Sequence, residues 1–303
     1  MVKIKWTMMI ATALTSALIL TMGCGDDTHG VNDTDDVVDA ADAEDATGLD
    51  GMMFVPSGSF WMGCNDAAAN NCNPQERPYH LVTLDSFYVD RTEVTIKDFQ
   101  ICVDAGVCSH HLDDQTCFYI ILENGDLAQS GIWPAFRGTN QPMVCVDWEQ
   151  AKQYCEWAGK RLPTEAQWEK AARGTDGRVY PWGNDTPDCN NAVTYVDDGS
   201  ECAPEVTADV CNKSPTGDSP YGLCDMAGNV REWVADWYDS NYYDTSPTTN
   251  PKGPDTGLYR TIRGSSFYPG NDLTNSGRLG AEASKAFVDR GFRCVWSAES
   301  SNQ

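Results

Sequence analysis

The sequence predicts an α+β domain that is rich in loops and tied together by disulfides rather than by long regular elements. Glycine, proline, asparagine and aspartate are scattered through residues 51–303, helical stretches are few, and no internal repeat is visible. Twelve cysteines follow Cys24, an even number, and none has the CxxC spacing of zinc ribbons and thioredoxin-like redox sites. A disulfide framework in an exported protein is therefore expected.

The first 23 residues have the pattern of a secretory signal peptide. Lys3 and Lys5 precede an apolar run, residues 8–22, which contains several Thr and Ser and ends before Gly23 and Cys24. A membrane-spanning helix needs about 20 predominantly apolar residues, so a cleaved leader is the better interpretation. A cysteine directly after a small residue predicts a bacterial lipoprotein that is acylated at Cys24 and anchored to a membrane of the cell envelope.

Residues 24–50 are predicted to form a disordered acidic tether. They include ten acids, no lysine or arginine and no aromatic residue, so they cannot bury enough apolar surface to fold. One domain then occupies residues 51–303. Without the leader and the tether, the formal net charge changes from −24 to −16. So acidic a domain repels phosphate backbones, which excludes nucleic acid as a partner.

Three helices and five strands can be placed in this domain. Thr95, Asp147 and Thr164 are predicted N-caps, and Gln167 completes a capping box with Thr164. Each helix ends at a glycine, so the predicted spans are 95–105, 147–159 and 164–174. The strand candidates are short: Met53–Val55, Phe60–Met62, Leu81–Leu84, Phe87–Val89 and Thr261–Arg263.

Seven strings occur in a characteristic order along the domain: FVPSGSFWMG (54–63), ERPYHLVTLDSFYVDRTEVT (76–95), QPMVCVDWEQAKQYCEWAGKRLPTEAQWEKAARG (141–174), YPWGN (180–184), YGLCDMAGNVREWVADWY (221–238), RTIRGSSF (260–267) and RGFRC (290–294). With them the chain resembles the sulfatase-modifying factor family, that of the formylglycine-generating enzymes. The resemblance covers essentially all of residues 51–303. It implies a variant of the C-type lectin fold, low in regular secondary structure.

The string DMAGNVREW is the candidate calcium site. Asp225 and Glu232 are hard carboxylates seven residues apart, and Gly228 permits a tight turn between them. The resemblance implies side-chain ligands from Asp225 and Glu232 and carbonyl ligands from Gly228 and Val230. From the residues alone, a capped turn with surface acids is the competing interpretation. A second family site implied near Asn191 and Ala192 has no other ligands that can be placed.

The resemblance also implies a disulfide between Cys155 and Cys294. Short separations favour two local pairs: Cys64 with Cys72, and Cys102 with Cys108. The tryptophans could suggest a sugar-binding platform, but core packing is the preferred role because each ring buries a large area: Trp61, Trp148, Trp157, Trp168, Trp182, Trp233 and Trp237.

The oxidase chemistry of the family requires two cysteines that follow an RGGS-like string and bind copper. Thiolates are the ligands that select Cu(I). Here an ungapped alignment places Pro269 and Thr274 at those positions, so copper is not expected and no catalytic residue is assigned. Ser266, Tyr268 and Arg278 are the candidate residues of the substrate groove. A further family arginine falls on Glu282, which alters that groove.

Histidine offers no obvious replacement centre. Relatives that use iron hold it with histidines in an extra N-terminal bundle, for which the tether leaves no room. His110 and His111 lie in a loop between Cys108 and Cys117, where a polar surface loop is preferred over an iron triad.

The sequence therefore favours a non-catalytic, calcium-stabilised binding module that presents residues 268–277 to a peptide, protein or glycan outside the cytoplasm. One alternative is an oxidase of the formylglycine-generating class that acts on protein cysteine through a non-standard site, for which Cys64 and Cys72 could be recruited. Another is a structural component of an envelope assembly with no exchangeable ligand.

Overall fold

The computed structural model describes residues 49–68, 72–109, 117–120, 127–129, 136, 138–194, 202, 206–268 and 272–297. The predicted leader, Cys24 and the tether up to residue 48 lie outside the described residues, as do Pro269, His110 and His111. In the part that is described, no helix is long and apolar enough to cross a membrane. The elements below belong to the unit Asp45–Gln303.

The described residues form three helices and twelve short strands. The helices are α1 (Ile96–Asp104), α2 (Trp148–Trp157) and α3 (Glu165–Arg173). The strands are β1 (Met52–Val55), β2 (Gly58–Met62), β3 (His80–Leu84), β4 (Phe87–Asp90), β5 (Cys117–Ile120), β6 (Leu127–Gln129), β7 (Arg231–Trp237), β8 (Arg260–Arg263), β9 (Arg278–Ala281), β10 (Ala286–Phe287), β11 (Arg290–Gly291) and β12 (Val295–Trp296).

All three helices begin at the predicted caps. The Thr95 hydroxyl accepts a hydrogen bond from the Asp98 amide, and Asp147 forms a capping box with Gln150. In α3, the Gln167 amide donates to the Thr164 hydroxyl and the Thr164 amide donates to the Gln167 carboxamide, at 3.2 and 3.1 Å. These bonds satisfy amide groups that have no partner within the helix.

Helix α3 is buried on every side, unlike an amphipathic helix, which is buried along one face. Its acids and bases, including Glu165, Glu169, Lys170 and Arg173, are as inaccessible as Trp168. A charged side chain at such depth must find a partner of opposite charge or a hydrogen bond. The helix therefore organises a polar network in the middle of the domain.

Four small sheets surround these helices, with strand orders β1-β4-β12, β10-β5-β6, β11-β7-β8-β9 and β2-β3. The five predicted strands correspond to β1 to β4 and β8. Strand β7 was missed because both of its faces are largely covered, so its sequence lacks the alternation that marks a half-exposed strand. Strand β12 brings the end of the domain beside β4, close to its beginning.

Six disulfides join all twelve cysteines of the domain. The predicted pairs Cys64–Cys72, Cys102–Cys108 and Cys155–Cys294 are confirmed. The last closes a separation of 139 residues and ties α2 to the connection between β11 and β12. Sequence alone did not assign the other three pairs: Cys117–Cys145, Cys189–Cys202 and Cys211–Cys224.

Candidate functional site

The connection between β8 and β9, residues 264–277, carries the altered family positions. It starts at Gly264, whose φ of +70° is unfavourable for a residue with a side chain. A Cβ there would also come within 3.2 Å of the Trp168 ring. The end of the connection is fixed by Arg263, which donates to the carbonyl oxygens of residues 275, 276 and 277 at 2.7 to 2.9 Å.

Thr274 belongs to a chain of hydroxyl and carboxylate groups. Its amide donates to Asp272 Oδ1 at 2.9 Å, and its hydroxyl lies 3.1 Å from the Ser276 hydroxyl. Ser276 in turn donates to Glu76 Oε2 at 3.0 Å. As metal ligands, these oxygen atoms are hard, so they suit calcium and do not suit Cu(I). They can also accept hydrogen bonds from an ammonium group.

A cavity of about 60 Å³ is lined by the two carboxylates of this hydrogen-bonded series. Its polar wall includes Glu76 and Asp272, and its apolar wall includes Ile262 and Leu279. Burial raises the pKa of Glu76; hydrogen bonds from Asn73 and Ser276 oppose that shift, and the Asp272 charge reinforces it. Two acids thus face a small, partly apolar space.

The network below the cavity, here called the α3 ion network, consists of Glu165, Glu169, Arg173, Arg263 and Arg278. Arg278 binds both carboxylate oxygens of Glu165, at 2.7 and 2.8 Å. Arg263 binds Glu169 at 2.5 Å, and Arg173 lies 3.1 Å from Glu169. Every carboxylate in this network has a guanidinium partner. Through Arg263 the network also holds the end of the connection, residues 275–277.

Asp236 lies against this network and is entirely buried. Its Oδ2 atom accepts a hydrogen bond from the Glu165 amide at 2.8 Å. Burial, and then the charge of Glu165, raise the pKa of Asp236 to about 8. It is therefore protonated near neutral pH.

The predicted groove residues occupy different depths. Ser266 is fully buried, and its carbonyl oxygen accepts a hydrogen bond from the Thr194 hydroxyl. Arg278 is 2% exposed and is held by Glu165, although part of it reaches the cavity wall. Tyr268 is partly exposed. Glu282 lies on the surface with Lys285 at 3.0 Å. Glu76, Asp272 and Leu279, which the sequence did not single out, also line the cavity; Glu76 is 1% exposed, whereas Leu279 is 44% exposed.

The candidate calcium residues lie in a second polar group, here called the acid cluster: Glu93, Asp225, Glu232 and Arg293. Both oxygens of Glu232 bind Arg293, at 2.7 to 2.9 Å, and Trp168 Nε1 also donates to Glu232. Glu232 is therefore the counterion of Arg293, which differs from the predicted ligand role. Gly228 lies between the acids, and a Cβ there would come within 2.7 Å of the Val193 carbonyl oxygen.

Glu93 is the acid that sequence reasoning missed. It is 1% exposed, its Oε1 accepts from Asn229 Nδ2 at 3.0 Å, and a side-chain hydrogen bond links it to Asp225. Burial, and then the Asp225 carboxylate, raise the pKa of Glu93 well above its usual range. Asp225 Oδ2 accepts from the Cys211 amide at 2.5 Å. Asp225 and Glu93 therefore fit a hard cation better than Asp225 and Glu232 do.

Other metal centres have less support in the described parts of the chain. No group of three or more His, Cys, Asp or Glu side chains there is arranged to hold a metal ion. Asn191 uses its side-chain oxygen to accept from the Asp188 amide, and Ala192 is buried. These two residues thus lie in the turn that begins at Asp188.

The tryptophans divide into core and surface residues. Trp148, Trp168 and Trp233 are buried, as expected. Trp61 and Trp157 are 46% and 37% exposed, so the expectation of core packing is wrong for them. Trp182 and Trp237 are partly buried.

Comparisons with known proteins agree with the motifs. A family model described as "Sulfatase-modifying factor enzyme 1-like domain" matches residues 38–298. The chain is 35% identical over 294 residues to the formylglycine-generating enzyme of Streptomyces coelicolor, covering 82% of this chain and 90% of that enzyme. It is 34% identical over 285 residues to the enzyme of the same name from Thermomonospora curvata, covering 81% and 93%. Among solved structures, PvdO from Pseudomonas aeruginosa is similar, with a TM-score of 0.65, 28% identity and coverage of 80% and 93%.

Proposed function

The chain belongs to the family of sulfatase-modifying factor domains, and from that premise we propose that it is an exported, lipid-anchored binding module without oxidase activity. The proposal keeps the family's fold and assigns the protein a ligand rather than a reaction. The ligand is a peptide, protein or glycan met outside the cytoplasm.

The disulfide pattern is the observation that carries the proposal. All twelve cysteines of the domain are paired, so no described residue offers a free thiol. Cys64 and Cys72, which could have been recruited, are bonded to each other. Thr274 offers a neutral hydroxyl that already interacts with Ser276. Because Cu(I) is held by thiolates, the donors present here do not fit copper.

Absence of oxidase activity can be tested directly. Purified full-length protein is supplied with Cu(I), oxygen and a peptide that contains a sulfatase motif, and aldehyde is measured by mass spectrometry. We expect none, whereas the Streptomyces coelicolor relative serves as the positive control. Turnover that exceeds a protein-free control would contradict the proposal. It would favour the second candidate, an oxidase with a non-standard site, which the 35% identity to that relative supports.

Membrane attachment rests on residues 1–24. If Cys24 is acylated, the protein should partition into the membrane fraction, and Cys24→Ser should release it. A wild-type protein that is found only in the soluble fraction would contradict the anchor.

We also propose that calcium stabilises the domain through Asp225, with Glu93 as the second carboxylate and with carbonyl oxygens of the 228–230 turn as further ligands. Burial of these two acids close together supports the proposal, because it raises the pKa of both carboxyls and a bound cation would favour their charged forms. Calcium supplies a positive charge to a buried acidic site and has no part in a reaction here.

A further inference from the structure

We infer that the cavity lined by Glu76 and Asp272 binds a lysine side chain of a peptide or protein. The inference rests on the proposed binding function and names the chemistry of the ligand. Thr274, whose amide donates to Asp272, stands where the ungapped alignment places a copper-binding cysteine of the family, so the ligand site lies next to that position.

The charges around the cavity favour a cation. Two arginines reach its wall, and both have acidic partners: Arg278 binds Glu165, and Arg231 Nη1 lies 2.7 Å from Asp289. Neither acid forms an ion pair with a described residue, although the Arg263 charge lowers the pKa of Glu76. Glu76 is held by neutral donors, Asn73 at 2.6 Å and Ser276 at 3.0 Å. Asp272 accepts from the Thr274 amide. The ammonium group of a ligand would donate charge-assisted hydrogen bonds to both carboxylates.

The remaining wall matches the rest of a lysine side chain. Ile262 is almost fully buried at the base, and Leu279 is 44% exposed at the rim. A lysine places four methylene groups between its backbone and its charge, and such stems pack on apolar surface while the ammonium contacts polar groups. The two carboxylates belong to different residues, Glu76 and Asp272, which suits the compact ammonium of lysine, whereas the planar fork of arginine matches a single carboxylate through two bonds.

The acidic character of the domain supports the same class of ligand. A formal charge of −16 over residues 51–303 raises the local concentration of basic partners and speeds their association at low ionic strength. A divalent cation is the competing occupant. It requires six or more oxygen ligands in the case of calcium, and the cavity offers two carboxylates.

The test measures binding of the peptide Ac-Gly-Lys-Gly-NH2 to the full-length protein by NMR titration, beside the same peptide with norleucine in place of lysine. Norleucine keeps the aliphatic stem and removes the charge. We expect lysine to bind at least about tenfold more tightly. Asp272→Asn should weaken lysine binding about tenfold, and Leu279→Ser should weaken both peptides. The exposed Asp255→Asn, which changes the net charge equally, should leave binding unchanged. Glu76→Gln serves as a second variant once its melting temperature shows that it folds.

Equal binding of the two peptides would overturn the inference. So would equal effects of Asp272→Asn and Asp255→Asn, displacement of the peptide by calcium alone, or tighter binding of an arginine peptide. The aldehyde assay above is run on the same preparation. If no aldehyde forms and lysine does not bind, the lysine site is wrong and the non-catalytic proposal stands; if aldehyde forms, the proposed function itself has failed.

Discussion

The α3 ion network and the acid cluster are buried to the same degree and differ in how their charges are balanced. In the α3 ion network, Glu165 and Glu169 each have guanidinium partners. In the acid cluster, Glu232 forms the ion pair with Arg293. Glu93 and Asp225 are also buried, and neither forms an ion pair with a described residue. The balanced network is suited to hold a loop in place, whereas the unbalanced cluster requires a proton or a bound cation.

Removal of the single cation of the acid cluster should have the largest effect. Arg293→Met leaves Glu232 buried without its partner, so we expect the free energy of unfolding to fall by about 3–5 kcal/mol. Urea denaturation measures this loss. The double variant Arg293→Met/Glu232→Gln removes both charges and should recover part of it. A loss below about 1 kcal/mol in the single variant would show that the pair does not hold this region.

Calcium should stabilise the acid cluster by binding Asp225 and Glu93, which have no ion-pair partner of their own among the described residues. At a concentration 100 times Kd, a ligand of the folded state adds about 2.7 kcal/mol, so chelation should lower the melting temperature by several degrees. Glu93→Gln should abolish the response to chelator, and the exposed Asp255→Asn should retain it. An unchanged wild-type melting temperature after chelation would rule out the site.

The α3 ion network predicts a specific pH dependence at Asp236. Its pKa is about 8 in the folded protein and near 4 in an unfolded chain. The folded state therefore keeps a proton that the unfolded state releases, and this contribution to stability is present below about pH 4 and lost as the pH rises to about 8. Asp236→Asn cannot ionise. Its stability relative to the wild type should rise by on the order of 2 kcal/mol between pH 4 and pH 6. A constant difference across this range would contradict the assignment.

The smallest effect is expected at the start of α3. Thr164→Ala removes the hydroxyl that accepts the Gln167 amide, which should cost about 1 kcal/mol in urea denaturation. Thr164→Ser keeps the hydroxyl oxygen, so most of the free energy of unfolding that alanine loses should be retained. If serine is no better than alanine, the cap does not position the network.

The helices of this domain could be predicted from local sequence patterns, because N-caps and capping boxes involve residues within four positions of each other. Thr95, Asp147 and Thr164 were identified in this way. The same local logic found the short disulfides, and the motif resemblance found Cys155–Cys294. Strand β7 was missed because a strand covered on both faces has no alternation for periodicity to detect.

The polar groups could not be predicted because their members are far apart in the sequence. Glu232 meets Arg293 across 61 residues, and Glu76 meets Ser276 across 200. A carboxylate pattern shows which residues are capable of binding calcium, but not which of them a buried arginine has already paired. For the same reason, Ser266 and Arg278 were predicted as groove residues and are buried, and the equally buried Glu76, which lines the cavity with Arg278, was not singled out.

The central claim is that the domain holds no pair of thiols that could bind copper. It is tested most directly by counting free thiols with Ellman's reagent in the full-length protein, purified from envelopes and denatured without reductant. We expect none if Cys24 is acylated and a single thiol, from Cys24, if it is not. Two or more thiols per molecule would contradict the account.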